Sequence, residues 1–441
     1  MRNETGRSMT RSLRRGRKPE SLVAACTLAA ILSSTGCGDI FDLKQSSNAQ
    51  IDASTLFIPK NAQLLVNGVI ADFECAYTRV VTGMGVLGDE IQNAWANTAN
   101  YDYDRRTITP SSPYAGGCGG DQLPGFYTAL STARGVADTT HAAINSWSDA
   151  EVPNRQKLLA QAAAYGGYAL IMLGEALCSA AINVGPELTS AQLFEEARIR
   201  LDRAVTHATA ANDANVLNFA RLGRARALLN LGQLSAAAQD AAQIPSNFVQ
   251  GVSPAATYQR RQNIVYLHIT ENFRGTVDPS YRNLTLGGAP DPRVRVTNSG
   301  RVGNAAATPI WTPDKYPAVT TSIPVAKYAE AQLIIAEARI AANDLTGAAT
   351  AINAARNSGG RTNMPQFSAA GMTQQQVLDQ LIEERRREFF LEGHRFWDVR
   401  RFNLALVPTP GTTYPAGGGV YGDIRCFPLP NVERDNNPNI N

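Results

Sequence analysis

Histidine and cysteine are scarce in this chain of 441 residues, and the scarcity argues against a bound metal. The sequence holds four histidines and six cysteines, and no two cysteines have the Cys-X-X-Cys spacing. Structural zinc is held by clustered cysteine and histidine side chains. We therefore predict that the chain has no metal site.

The motifs of nucleotide binding and nucleophilic catalysis are also missing. The sequence has no GxSxG, no P-loop and no dinucleotide fingerprint, and each of these motifs marks a specific chemistry. His394 lies near Glu392 and Asp398, but this spacing matches no metal-ligand pattern. We predict no cofactor, no catalytic residue and no enzymatic activity.

Long apolar runs are absent beyond the N-terminus, which excludes a membrane-spanning helix there. Within residues 1–36, a basic segment is followed by a short apolar core and four small residues, the order of a secretory signal. Cys37 comes next, directly after glycine, and this arrangement resembles a bacterial lipobox. We predict a signal peptide over residues 1–36, a diacylglycerol on Cys37 and a tether over residues 37–59. Ordinary signal cleavage, which would leave Cys37 as a thiol, is the alternative.

A basic excess is lacking once this signal is removed. Residues 1–36 hold seven of the 41 lysines and arginines and two of the 38 aspartates and glutamates. The rest of the chain has 34 basic and 36 acidic residues, a net charge of −2. Nucleic-acid binding proteins carry a basic face, so we expect no nucleic-acid partner.

Helical patterns dominate the remaining chain. Residues 218–244 and 328–356 each contain an alanine-rich helix, a short turn with glycine and a second alanine-rich helix. Such helix pairs bury one face against the next pair, as in tetratricopeptide repeats. We predict a mainly α fold, a tetratricopeptide-like superhelix of helix pairs, over residues 60–441. Turn-forming residues predict a loop-rich insertion at about 245–324 and an extended tail at 404–441.

The stretch at 381–403, LIEERRREFFLEGHRFWDVRRFN, contains six charged residues in a row. Helical periodicity puts Arg385 and Glu392 on an apolar face. A buried guanidinium is costly unless it is paired, so we expect Arg385 to be buried with Glu388 or Glu392 as its partner. We interpret the stretch as a structural junction. Its other charges are expected to form solvated pairs: Glu383, Glu384, Arg386 and Arg387.

The order E-R-R-R-E, then E-G-H-R-F-W-D-V-R-R, resembles the C-terminal signature of the SusD/RagB family of outer-membrane nutrient-binding lipoproteins. Members of that family are built on tetratricopeptide-like helix pairs and capture glycans or other oligomers for a TonB-dependent porin. The resemblance extends over nearly the whole mature chain. It implies a lipid-anchored protein of the bacterial outer membrane that faces the exterior. Its implied partners are a SusC-like porin and an oligomeric nutrient, in the first place an oligosaccharide.

Four cysteines lie in the body of the chain, more than the family resemblance leads us to expect. An even number in an exported chain fits two disulfides, and four cysteines allow three connectivities. We favour Cys75 with Cys118, which would join an aromatic loop to the first helix. Cys178 would then pair with Cys426 and fasten the tail to the helix pairs.

The candidate ligand-binding residues come from the aromatic loop and the insertion, where the family resemblance places ligand contacts. Aromatic rings stack on the apolar faces of sugars, and amide side chains bind hydroxyl groups. The candidates are Trp95, Asn97, Tyr101 and Trp311. The alternative is that these side chains pack loops onto the core.

Two other functions remain open at this point. A tetratricopeptide-like scaffold lipoprotein of outer-membrane assembly would need no ligand platform. A helical glycosidase would need two carboxyl groups flanking the scissile bond, and Asp89 and Glu90 are the candidates for it.

Overall fold

The computed structural model describes residues 53–119 and 125–440. Residues 57–441 form one compact unit, and the short helix Ala53–Leu56 belongs to a separate unit. The predicted signal, Cys37 and most of the tether lie outside the described residues. Within the described part, no helix is long and apolar enough to cross a membrane.

The larger unit is mainly α-helical, as the sequence predicted. Besides the helices numbered below, one helical turn, Ile264–Tyr266, continues as a stretch of π-helix at Leu267–Glu271. The numbered helices are α1 (Ala62–Leu87), α2 (Thr98–Asp104), α3 (Tyr127–Ser146), α4 (Arg155–Ala176), α5 (Ser190–Ala210), α6 (Ala214–Asn230), α7 (Leu234–Ala241), α8 (Tyr328–Ala341), α9 (Leu345–Arg356), α10 (Gln374–Glu388), α11 (Arg395–Arg401) and α12 (Asn431–Arg434).

Helices α3 to α9 pack in order along the chain, each against the next, which confirms the predicted helix-pair architecture. The predicted pairs are α6 with α7 and α8 with α9, and α7 packs on α8. Small residues allow the close approach. A Cβ on Gly167 of α4 would lie 2.6 Å from Leu201 of α5, and one on Gly223 of α6 would lie 2.7 Å from Tyr168. Larger residues there would separate the helices.

Strands are short and, in the described residues, form two-stranded antiparallel pairs. The pairs are β1 with β5, β2 with β3, β4 with β10, β6 with β7, and β8 with β9. The strands are β1 (Ile91–Asn93), β2 (Ser179–Ala181), β3 (Glu187–Thr189), β4 (Val249–Gly251), β5 (Gly275–Val277), β6 (Thr285–Leu286), β7 (Ala289–Pro290), β8 (Val296–Val302), β9 (Pro309–Pro313) and β10 (Pro324–Lys327). Seven of these strands, β4 to β10, therefore lie between α7 and α8.

The tail after α11 packs into the core through Phe427. Its N–H donates to Ala176 O at 2.9 Å, and its carbonyl accepts from Cys178 N at 2.8 Å. The Phe427 ring is fully buried and contacts the rings of Phe126 and Phe396. The tail therefore contributes to the main core.

Two disulfides join distant parts of the chain, in the pairs that the sequence analysis favoured. Cys178 is bonded to Cys426, with their Cα atoms 5.0 Å apart, and holds the tail against the end of α4. Cys75 is bonded to Cys118, with Cα atoms 6.1 Å apart, and holds the segment after α2 against α1. Each disulfide restricts the conformations of the unfolded chain and thereby stabilises the folded state.

We call residues 374–401 the signature segment; it comprises α10, a turn and α11. Helix α10 begins with a capping box between Thr373 and Gln376. The chain reverses where Leu391 and Gly393 adopt positive φ, 57° and 78°. Arg385 is buried, as the sequence predicted, but its predicted partner is wrong. Its Nε donates to Asp398 Oδ2 at 2.8 Å, because the reversal brings α11 back against α10.

The prediction that the other charges are solvated is also wrong for Glu384 and Arg387. Glu384 is 2% exposed and forms ion pairs with Arg293 and Arg356. Arg387 pairs with the buried Asp291 at 3.1 Å. The insertion covers this face of α10, and its side chains supply partners that the period of an isolated helix cannot indicate.

Candidate functional site

Strand β5 brings two of the predicted site residues into one region. It pairs with β1, which precedes Trp95. On its other side, Thr276 of β5 binds β9: the N–H of Trp311 donates to Thr276 Oγ1 at 2.8 Å, and that hydroxyl donates to Pro309 O at 2.9 Å. The backbones of Trp95 and Trp311 are therefore held on two sides of the same strand.

The turn of the β8–β9 hairpin closes the same region. Ala305 N donates to Ala94 O at 3.1 Å, and Ala94 N donates to Arg274 O at 2.9 Å. Ala96 N donates to Asn304 Oδ1 at 2.7 Å. Three segments that are far apart in sequence are thus joined around Trp95.

Three half-buried rings in this region each carry an arginine. The guanidinium carbon of Arg274 lies 4.7 Å from the centre of the Trp95 ring. The corresponding distances are 4.6 Å from Arg301 to Phe273 and 5.3 Å from Arg282 to Trp311. We call these three rings and their arginines the aromatic surface. It combines apolar ring faces with many hydrogen-bond donors.

Asn97 and Tyr101 lie beside this surface and have structural contacts. The Asn97 side chain caps α2, because its Oδ1 accepts from Ala99 N at 3.0 Å. The half-buried Tyr101 ring meets the buried Tyr414 ring edge-on, with centres 5.7 Å apart. The four candidates therefore differ: two are tryptophans stacked with arginine, and two fasten α2 and the tail.

Asp89 and Glu90 are buried and hold neighbouring segments together. Asp89 accepts from Arg106 Nη1 at 3.0 Å, and Glu90 Oε1 accepts from Leu391 N at 2.7 Å. Burial raises the pKa of Asp89 to about 6 and that of Glu90 to about 8. Asp89 thus holds its loop to the segment after α2, Glu90 holds it to the signature segment, and neither belongs to the aromatic surface.

Comparison with known proteins gives one family and many similar structures. The sequence model of the SusD family matches residues 308–441. A SusD superfamily protein from Bacteroides vulgatus is similar over 87% of this chain and 98% of its own, with a TM-score of 0.64 and 15% identity. Surface glycan-binding protein A from Bacteroides thetaiotaomicron covers 85% and 96%, with a TM-score of 0.61 and 14% identity. No curated protein sequence matches.

The chain has the SusD fold. The resemblance to the SusD/RagB family that the signature segment suggested is thereby confirmed. The residues matched by the family model include Trp311 and the whole signature segment, whereas Trp95, Asn97 and Tyr101 precede them.

Sequence reasoning missed four of the six residues of the aromatic surface of this SusD-like protein. Phe273 and the three arginines were not among the candidates, because isolated arginines in an insertion give no periodic signal. Phe273 and Arg274 are adjacent in the sequence. The two side chains belong to different ring–arginine pairs: Phe273 lies against Arg301, and Arg274 lies against Trp95. No sequence pattern indicates these pairs.

Proposed function

We propose that this SusD-like protein binds an oligosaccharide at the aromatic surface. The observation that carries the proposal is the position of Trp95 and Trp311, half-buried on two segments that β5 holds together. Indole faces stack on the apolar faces of sugar rings and lose little conformational entropy in doing so. Two fixed indoles favour an oligomer over a single sugar, because a longer ligand can use both.

The arginines of the aromatic surface supply the polar half of such a site. Each guanidinium carries five N–H donors in a fixed plane, and sugar hydroxyls are acceptors for them. Arg282 already donates to Val277 O and is therefore held in place beside Trp311. Donors that are positioned before binding reduce the entropic cost of binding, because the side chain does not have to be ordered by the ligand.

The rest of the proposal concerns the setting of the site. We propose lipid on Cys37, location at the outer membrane facing the exterior, and delivery of the ligand to a TonB-dependent porin. The likeness to a protein named for surface glycan binding supports this setting. Mass spectrometry of the mature N-terminal peptide tests the lipid, and co-purification from outer membranes tests the porin. An unmodified Cys37 would contradict the anchor.

The binding proposal is tested with Trp95→Ala and Trp311→Ala. A glycan array first selects an oligosaccharide, and calorimetric titration then measures its affinity. We expect each substitution to weaken binding by about three- to tenfold, with nearly unchanged thermal unfolding. Wild-type protein should release no reducing sugar from the same ligand.

Tyr258→Ala is the matched control, since Tyr258 is an exposed aromatic residue outside the aromatic surface. Its affinity should equal that of the wild type. Equal loss in all three variants would contradict the proposal, and absence of any oligosaccharide binding would favour the scaffold alternative. Turnover of the bound glycan would revive the glycosidase alternative.

A further inference from the structure

A cavity of about 970 Å³ lies on the signature segment, away from the aromatic surface. It is bordered by the start of α8, the loop after α9, the base of the β8–β9 hairpin and the end of α10. Five basic and three acidic side chains line it. Its volume falls within the range of ligand pockets, and none of the rings of the aromatic surface contributes to it.

The floor of this cavity presents cations above buried carboxylates. Glu388 and Glu392 are each 2% exposed, whereas Lys315, Lys327 and Arg361 are 22%, 16% and 21% exposed. The three cations contact these two carboxylates at 2.6–3.1 Å. The floor therefore carries three positive and two negative charges, and the positive charges lie on the side that faces the cavity.

The two lysines of the floor differ, because burial lowers the pKa of Lys315 on balance, whereas the pKa of Lys327 is raised. Burial lowers the pKa of Lys327, but the carboxylates of Glu388 and Glu392 outweigh burial and raise it overall. Lys315 Nζ donates to Phe390 O at 2.8 Å and to Glu392 Oε1 at 2.6 Å. An ammonium group has three donors, and the described contacts of Lys315 use two of them.

The rim of the cavity carries one further basic and one further acidic residue at the base of the β8–β9 hairpin. Arg295 and Asp314 are both exposed, and their backbones are joined by the bond from Asp314 N to Arg295 O at 3.0 Å. The Asp314 carboxylate accepts from Thr297 Oγ1 at 2.8 Å. Side chains at such a rim can change the potential of the cavity without removing a buried ion pair.

We propose that this cavity is a second binding site, which takes a small acidic molecule with the size and chemistry of a short acidic saccharide. The carboxylate of such a ligand would meet Lys315, Lys327 and Arg361, and Arg295 would attract it at the rim. Charge-assisted hydrogen bonds of this kind are stronger than neutral ones. The β8–β9 hairpin spans both sites, with its turn at the aromatic surface and its base at the cavity.

The test uses trigalacturonic acid and its methyl ester, which has the same sugar backbone without the charges. Calorimetric titration at low salt should give binding of the acid and at least tenfold weaker binding of the ester. Arg295→Gln should weaken binding of the acid by about three- to tenfold, the effect of one unit charge at the rim. Asp314→Asn should strengthen it by a similar factor, because it removes the opposing charge.

Arg203→Gln is the control, since Arg203 is an exposed arginine of α5 that does not line the cavity. It should leave the affinity within about twofold of the wild type, because salt screens distant charges. Equal affinity for acid and ester would overturn the proposal, as would equal effects of Arg295→Gln and Arg203→Gln. Trp95→Ala separates this site from the aromatic surface: loss of acid binding in that variant alone would leave only the first site.

Discussion

The signature segment and the aromatic surface both contain many arginines, but they use them differently. In the signature segment, Arg385 is buried and paired with the carboxylate of Asp398. In the aromatic surface, arginines lie against rings that water still reaches, as Arg301 does over Phe273. A buried ion needs a fixed partner, since desolvation is otherwise uncompensated. A half-buried ring with an arginine can exchange that contact for a ligand.

This difference assigns two roles to one residue type. The signature segment connects the helix pairs to the insertion, because Glu384 holds Arg293 of the insertion and Arg356 of α9. The aromatic surface lies on loops that this framework supports. Precise sites depend on a rigid support around them, so damage to the framework should lower stability, and damage to the surface should lower binding.

The largest expected effect is a loss of stability on substitution of Glu384 in α10, with its neighbour Glu383 as the control. Glu384→Gln would leave the buried Arg356 without a carboxylate and Arg293 with Asp291 alone, so we expect a loss of about 3–5 kcal/mol in the free energy of unfolding. Glu383 is 35% exposed and pairs with Arg386 and Arg387. Glu383→Gln should cost less than about 1 kcal/mol. Urea unfolding measures both, and equal losses would contradict the contrast between buried and solvated pairs.

The same residues mark the limit of prediction from sequence. The helical period correctly placed Arg385 on a buried face, and the motif correctly indicated the fold. The partners could not be predicted, because Asp398 is reached only through the reversal at Leu391 and Gly393. Glu384 was assigned to the solvated side, since periodicity describes one helix and not the insertion that covers it.

At the aromatic surface, prediction was limited in another way. Trp95 and Trp311 could be chosen as candidates from the sequence, because tryptophan is large and rare. The contact between their segments depends on Thr276, whose hydroxyl joins β5 to β9. A threonine in a short strand gives no signal of that role, and long-range pairing of short strands has little local sequence pattern.

The second prediction concerns Glu90, which lies at the border between the two regions. It precedes β1 and accepts from Leu391 N of the signature segment. Burial raises its pKa from 4.5 to about 8. Between these values the folded state keeps a proton that the unfolded state releases, so its contribution to stability falls as pH rises.

Glu90→Gln removes this titration and keeps an oxygen for Leu391 N. Wild-type protein should lose about 2 kcal/mol more than the variant between pH 5 and pH 7, in unfolding free energy measured with urea. Glu271→Gln, at an exposed glutamate, should follow the wild-type profile. Parallel profiles for wild type and Glu90→Gln would mean that Glu90 is ionised in the folded protein.

The smallest expected effect sharpens the comparison most directly, because it uses two arginines with similar ring contacts. Arg386 lies 4.4 Å from the centre of the fully buried Tyr281 ring, and Arg301 lies 4.6 Å from the half-buried Phe273 ring. Arg386 also donates to Glu383 and to Ser280 O. We expect Arg386→Gln to cost about 1–2 kcal/mol of unfolding free energy, since the buried Tyr281 ring would lose its cation and two acceptors would lose a donor.

Arg301→Gln should change stability by less than about 0.5 kcal/mol, because cation–π contacts at exposed sites contribute little. The two variants remove the same charge at nearly the same distance from a ring, so the burial of the ring and the hydrogen bonds of Arg386 are what separate them. Thermal and urea unfolding of both variants measure the difference. If both variants lost the same stability, ring stacking itself would account for the arginines of both regions. The unequal result would assign the stabilising role to the signature segment and leave Arg301 available to a ligand.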